Sequence, residues 1–330
     1  MSVEIGNKWR KKNFLREQDF CLTNNCLYES IDNGRSYYQE SVNISDCIFN
    51  RISFFVGNGG IICVDGGSFV LCVSYSAFIN CSSFNQGGGV FFNSASSYFK
   101  MVCAFRCASL GSDDHFAYLC SFQFNHVEHL STAICSYESK GFYSIRLFKG
   151  MQLFHKTNSS SNKVYQVSGM GTWSPNQFSS IFCTFSNGHA SNGLSICFYS
   201  NSGMMSFSNI INNTSPNYGN IHVSGFSGQK GSYSMEYCIF GNNHDTLFSV
   251  YYGSLGVSHS YIAHTGTLSA FGSLLPSMNN SMIRTNNYII DFFNSQICNY
   301  DTKYVQTVPF NRNGSCVLFA FPCFLLNCFL

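Results

Sequence analysis

The sequence predicts an all-β fold, a right-handed single-stranded parallel β-helix of about nine to ten turns with a short N-terminal cap. Three observations lead there. The first is a spaced marker, a Cys or Ser, one residue, then Phe or Ile: Cys47/Phe49, Ser76/Phe78, Cys103/Phe105, Cys183/Phe185, Ser208/Ile210, Cys238/Phe240, Ser260/Ile262 and Ser281/Ile283. The second is its period. Counted on the second residue, the steps are 29, 27, 80, 25, 30, 22 and 21 residues, and the long step fits three units of the same size. The third is the make-up of each unit, where two short apolar runs are separated by polar and glycine-rich breaks. Stacked repeats of this length bury their apolar faces only against their neighbours.

The unit from Phe69 to Ser97 shows the pattern. FVLCVSYSAFINCSS carries apolar residues at alternating places, the period-two signature of a strand. FNQ breaks it, and GGGVFFNSASS follows. Gly, Ser, Asn and β-branched residues are poor helix formers, so helices are not expected here. The marker residues lie two apart and share one face of a strand. Phe is therefore expected to stack on Phe or Ile in one inner row, with Cys and Ser in a second. The Asn residues after the marker, at 50, 80, 187, 212, 242 and 286, read as turn residues, because Asn tolerates left-handed backbone.

Composition supports a folded chain. Charged residues are only 10%, while aromatics reach 17%, too many for a disordered segment. A net charge of +2 argues against nucleic acid as a partner. The 17 cysteines include no Cys-x-x-Cys pair, so structural zinc is not expected. Cys47, Cys103, Cys183 and Cys238 share one place in the repeat and read as inward packing residues, with scattered disulfides as the alternative.

The chain divides into 1–39, a capping segment, 40–295, the β-helix, and 296–330, a C-terminal segment. Val3, Ile5, Trp9, Phe14 and Leu15 stand among Lys8, Arg10, Lys11, Lys12 and Arg16, which predicts a short helix or arm laying Trp9 or Phe14 over the first turn. These residues lack an apolar run of the secretory kind. Cys316–Leu330 is nearly all apolar, but Pro322 and Asn327 interrupt it and it is short for a span, so a buried closing segment competes with membrane association through the start of a span or a lipid-anchor signal.

The glycine pairs sharpen the picture. Gly59-Gly60-Ile61-Ile62 begins 10 residues after Phe49, and Gly88-Gly89-Val90-Phe91 begins 10 after Phe78. Phe122-Gln123-Phe124-Asn125 and Phe240-Gly241-Asn242-Asn243 supply Phe-x-x-Asn. In these motifs the chain resembles right-handed parallel β-helix repeat proteins, especially polymorphic surface proteins with Phe-x-x-Asn and Gly-Gly-x-Ile motifs. The resemblance spans roughly residues 40–295 and implies a surface rod used in adhesion or variable display.

The same superfold hosts pectin-cleaving enzymes, which makes the acidic residues candidates. Asp113 and Asp114 are the only adjacent acidic pair and are followed by His115. With Gly188-His189 this resembles the Asp-Asp and Gly-His elements of polygalacturonases, but the run Arg146-Leu147-Phe148-Lys149 has one residue too many for their Arg-x-Lys element and falls between the other two. Glycoside hydrolysis usually needs two carboxylates flanking one bond. Asp113 and Asp114 read instead as a solvated turn. His126 and His129 flank Glu128 and read as a surface turn, not a metal site. No catalytic, cofactor-binding or metal residue is assigned. Asn-x-Ser/Thr sequons stand at Asn43, Asn80, Asn158, Asn212, Asn213, Asn279 and Asn313.

The expectation is a non-enzymatic cell-surface or extracellular rod for adhesion, recognition or variable display. Its partner would be a host-surface protein or a glycan, not nucleic acid, and no cofactor is required. The alternative is a degenerate carbohydrate-binding or polysaccharide-cleaving β-helix.

Overall fold

A computed structural model describes residues 41–284, apart from 55–56, 112–113, 137–140, 174–175, 226–227, 270–273 and 275. It also describes the backbone of two short strands, Ser2–Val3 and Phe20–Cys21. The described residues are all-β, and the coil is a parallel solenoid. Each turn contributes to three parallel sheets. Sheet I runs from Ser41–Ser45 to Ser277–Asn279, sheet II from Ile48–Asn50 to Met282–Arg284, and sheet III from Ile62–Asp65 to Thr267–Ser269. Successive turns lie about 4.8 Å apart, the spacing of paired strands.

Register in sheet II gives the inner row directly. Phe49, Phe78, Ala104, Thr132, Ser159, Phe185, Ile210, Phe240, Ile262 and Ile283 pair in sequence, one per turn. The long step in the marker spacing is thus three turns, through Thr132 and Ser159.

Two corrections follow. Phe105 is not in this row. It pairs with Ile79, one residue out of phase, and packs with Ala77, Ile79 and Cys103 on the opposite side of sheet II. A one-residue slip reverses the face of every side chain in a strand. Cys103 therefore faces away from the core, and it is disulfide-bonded. Ile283 has the right register but is 46% exposed, because it stands on the last described turn, with no described turn stacked beyond it.

The marker itself has a chemical reason. Between sheets I and II the chain turns on one residue with left-handed backbone: Asp46, Tyr75, Met101, His129, Lys156, Phe182, Phe207, Tyr237, His259 and Asn280, with φ from 47° to 57°. Such a conformation costs a non-glycine residue roughly 1–2 kcal/mol. Except after Met101, His129 and Lys156, the next residue is a Cys or Ser, and its side chain donates back across the corner. Ser76 Oγ donates to Ser74 O (2.6 Å), Ser208 Oγ to Ser206 O (2.8 Å) and Ser260 Oγ to Ser258 O (2.8 Å). Cys47, Cys183 and Cys238 do the same with longer sulfur contacts. The serine oxygen also accepts the N–H of the preceding marker, as in Cys47 N to Ser76 Oγ (3.2 Å) and Cys183 N to Ser208 Oγ (3.1 Å).

A second left-handed corner ends sheet II, at Arg51, Asn80, Arg106, Ile134, Ser161, Asn187, Asn212 and Asn242. Asn80, Asn187, Asn212 and Asn242 are turn residues as expected. Asn50 is not, since Arg51 makes that turn, and Asn286 lies outside the described residues. After four of these corners the next residue is buried and reaches back one turn. Cys81 and Cys107 donate to Phe49 O and Phe78 O (both 3.5 Å), while Asn213 and Asn243 donate to Phe185 O (2.9 Å) and Ile210 O (2.7 Å). Cysteine in the early turns and asparagine in the later ones serve the same inner-row carbonyls.

The middle turns differ. Val90–Phe105 and Ala117–Ala133 each run through all three sheets without a break. Inside sheet I, the column Leu71, Ser97, Asn125, Gln152, Phe178 turns polar for three turns. Asn125 Nδ2 donates to Gln152 Oε1 (2.9 Å) and to Leu119 O (3.3 Å), and Ser97 and Ser121 donate to its Oδ1. Buried amides are retained only when bonded in this way. Beyond Phe178 the next position in the column must be glycine. A Cβ on Gly203 would lie 1.8 Å from Phe178 Cε1.

The N-terminal edge is covered by strands. Ser2–Val3 pairs in parallel with Ser41–Val42, and Phe20–Cys21 pairs antiparallel with Phe49–Asn50. The described parts of 1–39 are thus strands, and Trp9 and Phe14 lie outside the described residues. No helix among the described residues is long and apolar enough to cross a membrane. Cys316–Leu330 lies outside them.

Candidate functional site

The outer face of sheet III carries a cluster of polar and aromatic side chains. Alternation along its strands sends Tyr118, Arg146 and His222 outward in one register column, and Phe148, Trp173, Tyr199 and Tyr251 in the next. Arg146 is the centre. Its guanidinium carbon lies 5.1 Å from the ring centre of Tyr143, 5.4 Å from Tyr118, 5.5 Å from Trp173 and 5.8 Å from Phe148. The ring faces attract the cation, each by roughly 0.5–2 kcal/mol according to exposure. Trp173 Nε1 donates to Tyr143 Oη (3.0 Å), which fixes two of the rings. Tyr143 fits because the position after Arg146 in the column is Gly171, where a Cβ would come within 2.4 Å of its ring.

Asp114 supplies the counter-charge. Its Oδ2 lies 3.9 Å from Arg146 Nη1, and the carboxylate is fully buried. The expected solvated turn is therefore wrong at Asp114. The residue folds inward because a cation waits on the next turn. Asp113 lies outside the described residues. Burial pushes the phenols of Tyr118 and Tyr143 well up from their ordinary range, so both stay protonated donors.

Further along the face Trp173 meets Tyr199 (ring centres 4.5 Å), Tyr199 meets His222 (5.1 Å) and His222 meets Tyr251 (5.7 Å). His222 is buried, which lowers its pKa to about 4, and its Nδ1 lies 3.1 Å from Ser249 Oγ. It is neutral at physiological pH.

The other sequence candidates do not converge here. His115 is buried, and its Nδ1 accepts the Ser109 N–H (3.2 Å). His189 pairs with Lys163 in a separate two-stranded sheet. Glu128 faces outward on sheet I near Lys100 (3.9 Å) and His129 (3.7 Å), and His129 is a left-handed corner. Among the described residues no cluster of His, Cys, Asp and Glu is arranged to hold a metal ion. Sequence reasoning named Arg146 and Asp114 but did not join them. The cage rings Tyr118, Tyr143 and Trp173 carried no signal, because their neighbourhood is set by register between turns.

Chemically, the site is a charge pair shielded by rings and continued by a strip of half-buried aromatics. It presents stacking surface and hydrogen-bond donors. Its carboxylate, Asp114, is already beside a guanidinium, and the outward Asp65 stands three turns away in the column of Phe148.

No protein-family model, curated protein or solved structure matches this chain. What is established is the class: a parallel β-solenoid.

Proposed function

We propose that this chain is a non-enzymatic recognition rod of the cell surface or extracellular space, which holds a glycan on the outer face of sheet III. One observation carries the reading. The Arg146 cage lies in the turns where the marker pattern lapses, between Phe105 and Phe185, and departures from a fold's own pattern concentrate at functional sites. Half-buried rings next to fixed polar groups suit a sugar, which offers both C–H faces and hydroxyls. The resemblance to polymorphic surface proteins in the glycine-pair and Phe-x-x-Asn motifs points the same way. Display or adhesion would then use the rod's length, with the grip in its middle. The other reading, polysaccharide cleavage, is disfavoured because Asp114 is buried and ion-paired.

Affinity electrophoresis against neutral and acidic polysaccharides tests this. Tyr199→Ala and Trp173→Ala should each weaken binding about tenfold while the far-ultraviolet spectrum stays unchanged. Undiminished binding in both variants removes the site. Release of reducing ends that disappears in Asp114→Asn would establish cleavage instead.

A further inference from the structure

The sequons divide sharply by accessibility, and the division carries information. Asn158 and Asn213 are buried, 2% and 1% exposed. Asn213 is also fully engaged: its Nδ2 donates to Phe185 O (2.9 Å) and Asn243 Oδ1 (3.1 Å), and its Oδ1 accepts the Gly188 N–H (2.9 Å). No sugar can be attached there without opening the coil. Asn43, Asn212 and Asn279 are exposed. Asn43 stands on the first strand of sheet I and Asn279 on its last described strand. Asn212 projects from the left-handed corner after sheet II, at φ 53°. Asn80 is half-buried at that same corner and is not assigned.

We infer that Asn43, Asn212 and Asn279 are N-glycosylation sites, and that Asn158 and Asn213 are structural residues that match the sequon only in spelling. In the transfer, the asparagine Nδ2 bonds to C1 of the first sugar of a lipid-diphosphate-linked oligosaccharide. The bond from C1 to the diphosphate oxygen breaks, the lipid diphosphate leaves, and one amide proton passes to the transferase's base. The placement has a consequence. None of the three lies on the outer face of sheet III, so the Arg146 cage stays uncovered while sheet I and the sheet II corner carry sugar. The inference rests on the surface or extracellular reading.

The test secretes the full chain, behind an added leader, from a eukaryotic host alongside a reporter with a known sequon. Soluble protein is mapped by mass spectrometry after peptide-N-glycosidase in heavy-oxygen water. Label is expected at Asn43, Asn212 and Asn279 and absent from Asn158 and Asn213. Asn43→Gln, Asn212→Asp and Asn279→Gln should each remove one glycan from the intact mass. Label at Asn158 or Asn213 in folded protein overturns the inference, as do three bare sites beside a glycosylated reporter. Bare protein made in bacteria serves the polysaccharide assay separately, so loss of glycan binding and loss of glycosylation are read independently.

Discussion

From Gln177 to His264, every corner between sheets I and II is closed by a side-chain donor, at Cys183, Ser208, Cys238 and Ser260. Between residues 96 and 160 the same position holds Val102, Leu130 and Thr157. The backbone is nonetheless identical, with Met101, His129 and Lys156 at φ 51° to 56°. The inner row changes too, from Phe185, Ile210, Phe240 and Ile262 to Ala104, Thr132 and Ser159. A turn of the middle region is thus not specified by its own sequence. It copies its neighbours, because each strand must pair with the turn on either side, and in a solenoid stability is passed from repeat to repeat. The small polar inner side chains are bonded instead: Thr132 Oγ1 donates to Ser159 Oγ (3.2 Å), which also accepts from Asn162 Nδ2 (2.8 Å). The region freed from the repeat's pattern is also the one that holds the Arg146 cage.

This contrast can be broken most directly in the inner row. Phe185 is buried and pairs with Ser159 and Ile210. Phe185→Ala should cost about 3–5 kcal/mol, the usual range for removing a buried phenyl ring. Ala104→Gly, in the same row of the middle region, should cost about 1–2 kcal/mol through one methyl and added backbone entropy. Urea unfolding of both variants measures this. Equal losses would mean that the middle turns are as tightly specified as the later ones.

The same contrast explains what could be read in advance. Period, strand character and inner row were legible wherever the marker chemistry holds, because a donor at the corner and a large apolar residue two places on are both visible in the text. Cys103-x-Phe105 spells the marker equally well, yet the true pair on that turn is Val102 and Ala104. A spelling match cannot resolve a one-residue slip when both phases offer an apolar residue. The column Cys81, Cys107, Asn213, Asn243 was hidden for another reason. Its members share a carbonyl target, not a side-chain class. The cage was illegible because Asp114, Arg146 and Trp173 meet only across turns.

A second test concerns the polar interior. Asn125→Ala removes the acceptor of Ser97 and Ser121 and the donor to Gln152, leaving buried groups without partners. It should cost roughly 1–3 kcal/mol. Replacing Asn125 and Gln152 by Leu together with Ser97→Ala and Ser121→Ala should cost less than the single change, since no side-chain polar atom of the network is left stranded. Hydrogen exchange should show the loss confined to the strands Ala117–Ala133 and Met151–His155. Exchange that rises along the whole rod would instead mean that the network sets the stability of every turn.

The smallest effect tests the corner itself. Ser208 donates to Ser206 O and accepts the Cys183 N–H, so Ser208→Ala removes two bonds that brace Phe207 in its left-handed conformation. A net loss of about 1 kcal/mol is expected, near the value of one intramolecular hydrogen bond. Ser208→Cys should recover most of it, because Cys183 and Cys238 close their own corners with a thiol. The middle turns keep the same corner at Met101 and His129 with Val102 and Leu130 in the marker place, so the fold survives the loss of the donor. What the donor adds is local rigidity, and Ser208→Ala should raise amide exchange at Phe207 more than it lowers the melting temperature. If Ser208→Ala leaves both unchanged, the Cys or Ser of the marker is there for its size alone, and the distinction between the two regions reduces to how their inner rows are filled.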